Sequence, residues 1–154
     1  MNYKLRNCTK ISNKTLHRVI EFVWPRGLSK VKIFIKYTSD EFSGVAYTDE
    51  NRVSLRIKKR LKFPFCCGDR RLIRYGYTDM SMLKNTKEVL VSLCAHELAH
   101  LWQMNVSKQK FTKTKLHKFE YGGTKMECLY KMEKHSSEYA KRKLKQWRKH
   151  IKND

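Results

Sequence analysis

Between Asn85 and Asn105 the chain carries a segment that fits only the interior of a fold. Val89, Leu90, Val91, Leu93, Cys94, Leu98, Leu101 and Trp102 fall all round a helical axis rather than along one stripe. A helix apolar on every side has to be enclosed by other elements. Asn85 is placed to cap its start, and Glu88 stands in the first turn, where a negative charge complements the helix dipole. The spacing predicts a helix from Thr86 to about Met104 or Asn105. A chain of 154 residues can build one such core but not two, so residues 1–154 are read as a single domain.

Three residues in the middle of this helix, His96, Glu97 and His100, do not belong in an apolar interior. Buried imidazoles and carboxylates are costly unless something pairs with them. A metal ion would supply the partner. Histidines four residues apart project from one helix face, one turn from each other. That spacing suits two nitrogen ligands of a tetrahedral zinc at about 2.0–2.1 Å each. Glu97, next to the first ligand, is placed to act as general base toward water activated by the metal. The five residues His96-Glu97-Leu98-Ala99-His100 complete the H-E-x-x-H pattern of a zinc peptidase helix. A short pattern also recurs by chance, and two satisfied core histidines are the competing reading.

A catalytic zinc takes a third protein ligand and keeps one position open. His117, Glu127, Glu133, His135 and Glu138 are the downstream candidates. A last helix is predicted from about Thr124 to Ile151. Its apolar stripe comprises Met126, Leu129, Tyr130, Ala140, Leu144, Trp147 and Ile151. At about 100° per residue, Glu133 falls on the centre line of that stripe, with Ser136 and Ser137 beside it. His135 points to the opposite side, and Glu127 and Glu138 lie well off the stripe. A carboxylate on a buried face is tolerated when it is paired or binds metal, so Glu133 is the expected third ligand and His117 the alternative. Small Ser136, Ser137 and Ala140 leave room for the other helix to approach. One zinc per chain is expected. Tyr130, one turn before Glu133, is a candidate to stabilise an oxyanion; its competing role is a core tyrosine.

The sequence His96-Glu97-Leu98-Ala99-His100, followed by a helix bearing a glutamate, resembles the zincin metallopeptidases in their glutamate-ligand branch, the gluzincins. Leu98 to Gln103 together with Glu133 to Arg148 is also similar to small phage and bacterial SprT-like metallopeptidases. The resemblance covers the two helices, about a third of the chain. It implies a zincin-like α+β fold and peptide-bond hydrolysis with Glu97 as base. It also implies an edge strand that pairs with an extended substrate, with Phe42–Thr48 and Arg52–Lys58 both open for that part. Two departures stand out. The gluzincin helix typically reads Glu-x-x-x-Asp, whose aspartate supports a ligating histidine, and here Ser137 follows Glu133 at that spacing. The SprT-like third histidine precedes a glycine, whereas His117 precedes Lys118.

The rest of the chain supplies a frame for these helices. Leu16, Val19, Ile20 and Val23 predict an N-terminal helix over Ser12–Trp24, stopped by Pro25 and Gly27. Alternation predicts strands over Val31–Tyr37, Phe42–Thr48 and Arg52–Lys58, the last two joined by a turn at Thr48–Asn51. The expected class is α+β: an N-terminal helix, a small, mostly antiparallel sheet, the buried central helix and a long C-terminal helix. Lys62–Lys84 reads as a long loop, Ser107–Lys118 as a basic connection, and Gly122-Gly123 as a break. Five cysteines without CxxC spacing predict reduced thiols, and Cys66-Cys67 are read as structural.

A formal charge of +21 is the other unusual property. Such a surface attracts polyanions, of which nucleic acid is the commonest. Lys108–Lys118 and the run Lys141, Arg142, Lys143, Lys145, Arg148, Lys149 and Lys152 point to phosphate contacts with little base preference. Tyr139 and Trp147 are aromatic candidates for stacking, with Trp147 read as core. The start lacks a signal-peptide core, and no run reaches the roughly 20 apolar residues of a membrane span. The chain is therefore expected to be soluble and intracellular, without a membrane partner. Two functions compete on this basis: a zinc peptidase acting on protein or peptide substrates, by analogy with SprT-like relatives those associated with nucleic acid, and a non-catalytic nucleic-acid-binding protein with a structural zinc or none.

Overall fold

The computed structural model describes residues 1–39, 43–64, 83–107, 117–121, 124–128 and 130–152; for residues 117–121, 124–128, 130 and 131 it describes only the course of the backbone. The elements, in order, are β1 (Tyr3–Cys8), α1 (Asn13–Val23), β2 (Val31–Thr38), β3 (Ser43–Tyr47), β4 (Arg52–Lys58), α2 (Thr86–Asn105), β5 (His117–Tyr121), β6 (Thr124–Cys128) and α3 (Tyr130–His150). The class is α+β, and no described helix is long and apolar enough to cross a membrane.

The main sheet has four strands in the order β1-β2-β4-β3. It corrects the expectation of a mostly antiparallel sheet: β1 pairs with β2 and β2 with β4 in parallel, and only β3 and β4 run antiparallel. Burial explains the order. Val53, Leu55 and Ile57 of β4 are fully buried, and a strand with so apolar a face is best flanked on both sides. The shorter β3, with Val45 exposed, takes the edge. The hairpin through Thr48–Asn51 forms as expected, with Asn51 in the left-handed region at φ +47°, where asparagine is tolerated. The strand β1 was not expected, although its alternating burial matches the alternation of Tyr3, Leu5 and Asn7 with Lys4, Arg6 and Cys8.

Both capped helices begin where their polar residues allow. The Ser12 side chain accepts from the Thr15 amide and that of Asn85 from the Glu88 amide, each satisfying one of the otherwise free amides of a first turn. Of the 20 residues of α2, 13 are buried, as its apolar circumference requires. The core joins Leu16, Val19, Ile20 and Val23 of α1 to the inward residues of β2 and β4, to α2, and to Ala140, Leu144 and Trp147 of α3.

The last helix starts later than expected. Residues Thr124–Cys128 form β6, paired antiparallel with β5, and α3 begins at Tyr130. Met126 therefore lies on a strand, outside the helical stripe. At its other end α3 stops at His150, and Ile151, expected on the stripe, is exposed. Between them Ser136, Ser137, Ala140, Leu144 and Trp147 are buried, and the small residues among them let α2 pack closely. The two helices run antiparallel, as Gln103 meets Met132 and Ser136 at one end while Glu88 meets Arg148 at the other.

Candidate metal centre

The helix α2 brings His96 and His100 to one face and α3 brings Glu133 opposite them. The two imidazole Nε2 atoms are 3.1 Å apart. Glu133 places one carboxylate oxygen 3.2 Å from His96 Nε2 and the other 3.4 Å from His100 Nε2. All three are half-buried, and together they form a group that can hold a metal ion. The third ligand chosen by helical phase is thus the one the fold delivers. The side chains of His117 and Tyr130 lie outside the described residues; His117 opens β5 and Tyr130 opens α3.

Charge in the group is unbalanced without a cation. Burial by itself would raise the Glu133 carboxyl, but the hydrogen bonds from His100 and His96 outweigh it and draw the pKa down to about 2. The His100 imidazole, disfavoured as a cation by burial, is raised by the same carboxylate and by Glu97. The pair thus stabilises positive charge at the point where the three donors converge, whether a proton or a metal supplies it.

Glu97 is buried at 7% exposure. Burial holds its carboxyl above the ordinary range, against the pull of His96 and His100, while Glu133 adds repulsion. It accepts a hydrogen bond from the Ala46 backbone of β3. Gly44, two residues earlier on the same strand, leaves the space that Glu97 fills. A Cβ there would stand 2.5 Å from Glu97 Cγ and 2.7 Å from Cδ. Nothing in the pattern read from the sequence singled out Gly44, though glycine inside a strand is a signal of close approach.

Support for His100 comes from residues that were not expected to provide it. Gln103, fully buried, places its Oε1 3.1 Å from His100 Nδ1. An amide oxygen there holds a hydrogen on Nδ1, so that Nε2 is left to carry either a proton toward Glu133 or a lone pair toward a metal. The amide nitrogen is fixed in turn by the Met132 carbonyl at 2.9 Å, His135 Nδ1 at 2.9 Å and Ser136 Oγ at 3.0 Å. Ser136 Oγ also lies 3.3 Å from His100 Nδ1. The side chains that contact His100 Nδ1 are thus Gln103 and Ser136. His135 corrects a further expectation: it does not point away from α2 but reaches Gln103 and stacks on Trp102, ring centroids 5.6 Å apart.

A cleft of about 440 Å³ opens onto the group, lined by Gly44, Val45, Ala46 and Thr48 on one side and by the two histidines, Glu97, Met132 and Glu133 on the other. The lining sets the two strands considered for substrate pairing in different positions. The strand β4 is flanked on both sides, whereas β3 lies at one edge of the sheet among the described residues and forms one wall of the cleft. Cys66 and Cys67, most of the Lys62–Lys84 loop and the lysines of residues 108–116 lie outside the described residues. Compared with known protein families, curated proteins and solved structures, the chain matches none.

Proposed function

We propose that this chain is a zinc metallopeptidase of zincin type, with His96, His100 and Glu133 as metal ligands and Glu97 as general base. The observation that carries the reading is the spacing of the three donors. Bonds of about 2.0–2.1 Å to a tetrahedral zinc imply ligand–ligand distances of roughly 3.3–3.4 Å. The two imidazole Nε2 atoms are 3.1 Å apart, each has its own Glu133 oxygen at 3.2 or 3.4 Å, and one ligand atom from each residue lies within 4.8 Å of the others. Two nitrogens and one carboxylate oxygen also suit zinc better than calcium or magnesium, which favour all-oxygen sites. Three protein ligands facing a cleft leave room for a substrate, unlike the closed four-ligand set of a structural zinc.

Bound there, zinc would lower the pKa of water toward neutrality and polarise a carbonyl oxygen. The chain's own residues do the rest. Glu97, with its proton affinity raised by burial, is suited to take a proton from the attacking water and to return it to the leaving amine. Gly44 and the Ala46 amide hold that carboxylate against β3, so the base and the strand beside which a peptide would lie form one unit. A substrate pairing with the edge of β3 that is unpaired among the described residues would bring its scissile bond alongside Glu97 and Glu133.

The test is cleavage of an unfolded protein substrate such as casein by the zinc-loaded chain and by Glu97→Gln. The expected loss is on the order of 10²–10⁴-fold, the usual worth of a general base, with zinc content unchanged. Undiminished cleavage in the variant would remove Glu97 from the mechanism, and no cleavage by the zinc-loaded wild type would favour the non-catalytic reading.

A further inference from the structure

On the flank of the α2–α3 seam away from the metal cleft lies a larger groove, about 560 Å³, closed on its third side by the Trp24–Arg26 segment that follows α1. It shares no lining residue with the metal cleft. Its lining joins aromatic rings to cations. Trp24, Trp102, His135 and Tyr139 are each partly exposed, while Arg26, Arg142 and Lys143 stand at the rim. Among the described residues the lining holds no carboxylate.

The rings are held in place. The Trp102 indole donates to the Arg26 carbonyl at 3.1 Å and that of Trp24 to the Leu28 carbonyl at 3.0 Å. Tyr139 donates to the Val23 carbonyl at 2.7 Å. Arg142 lies over the Tyr139 ring, 5.2 Å from its centre. Lys143 donates to the Phe22 carbonyl at 2.8 Å; burial and the neighbouring Arg142 both disfavour its charge. An anion entering the groove would relieve that repulsion.

We propose that this groove binds a short stretch of single-stranded nucleic acid, with bases on Trp24 and Trp102 and phosphates toward Arg26 and Arg142. Stacking faces beside backbone-tracking cations are the two elements of sequence-tolerant single-strand binding, and the net charge of +21 favours the encounter. A duplex hides its base faces and would use only the cations. An acidic peptide meets the cations and leaves the rings unused. The inference stands apart from the peptidase reading, since the groove and its test involve no metal ligand.

The chain contains three tryptophans, two in the groove and Trp147 buried in the core. Titration with a twelve-residue oligothymidylate is expected to quench the two groove indoles and leave a residual signal from Trp147. Arg26→Ala with Arg142→Ala, both at exposed positions, should weaken binding about tenfold. It should also flatten the salt dependence of log K by about 1.4, at about 0.7 per phosphate contact. Lys4→Ala with Lys32→Ala removes two exposed charges from neighbouring strands of the sheet and should change affinity less than about twofold. Equal weakening by both double variants, binding without quenching, or displacement of the oligonucleotide by a DNA duplex or polyglutamate as readily as by excess oligothymidylate would each overturn the proposal.

Discussion

The two ends of the α2–α3 pair solve the same problem in different ways. Each sets a carboxylate between the helices, Glu88 at 2% side-chain exposure and Glu133 at 23%. At the Glu88 end the carboxylate is closed off: Arg148 donates through Nε at 2.9 Å and through an Nη at 2.6 Å, and the Lys84 amide adds a third bond at 2.8 Å. At the Glu133 end the partners are two imidazoles, and the group opens onto a cleft. A guanidinium brings a permanent charge, so the first end is complete as folded. Imidazole is charged only when protonated, so the second end is completed by a proton or a metal. Two interhelical carboxylates therefore separate into a clasp and a site.

The comparison can be broken from the clasp side. Arg148→Met leaves Glu88 buried without its cation and is expected to cost about 3 kcal/mol, the lower end for removing one partner of a buried pair, because Arg148 is itself partly exposed. Chemical denaturation measures that loss, while the zinc content of the folded fraction should not change. An effect on zinc as large as that on stability would mean that the two ends are one unit.

From the other side, Gly44→Ala drives a methyl group into Glu97. A displacement of about 1 Å in a reacting group costs up to about 10²-fold. The expected result is a drop in cleavage of that order with zinc retained and stability little changed, because the obstructed atoms belong to a side chain. Unfolding as severe as that of Arg148→Met would show that β3 packing, and not Glu97, is what the glycine serves.

Gln103→Leu sharpens the contrast within the site. It removes the hydrogen bond that sets the His100 tautomer and should weaken zinc binding about 10- to 100-fold, read by competition with a chromogenic chelator. Unchanged affinity would make Gln103 a helix-packing residue only.

The smallest effect is in the acid limb of stability. Burial works against ionised Glu88, but Arg148 and the Lys84 amide prevail and hold its pKa below the ordinary 4.5. A depressed folded-state pKa contributes stability that is complete above the unfolded value and lost as pH falls through the folded one. Wild type should therefore lose stability more steeply than Glu88→Gln as pH drops below about 4.5, and parallel profiles would assign acid sensitivity to other groups.

How much of this was legible in the sequence depends on the range of the interactions. The helix α2, its Asn85 cap and the choice of Glu133 follow from local spacing and phase, which act over one or two turns. Strand partners do not, because β2 meets β4 across the whole β3 segment and no local pattern encodes which neighbour is chosen. The alternation in β1 was present but easily passed over in a short polar start. Gln103 and Gly44 stayed hidden for a related reason. A buried glutamine or a strand glycine takes its meaning from what the fold sets beside it, and His100 and Glu97 are set there by packing.

The most direct measurement is elemental analysis of tag-free protein after zinc reconstitution, comparing wild type with Glu133→Ala and His117→Ala. The account predicts one zinc per chain in wild type and in His117→Ala, and little or none in Glu133→Ala. Zinc retained without Glu133 but lost without His117 would contradict the ligand set, and a wild type that takes up no zinc would contradict the metal centre itself.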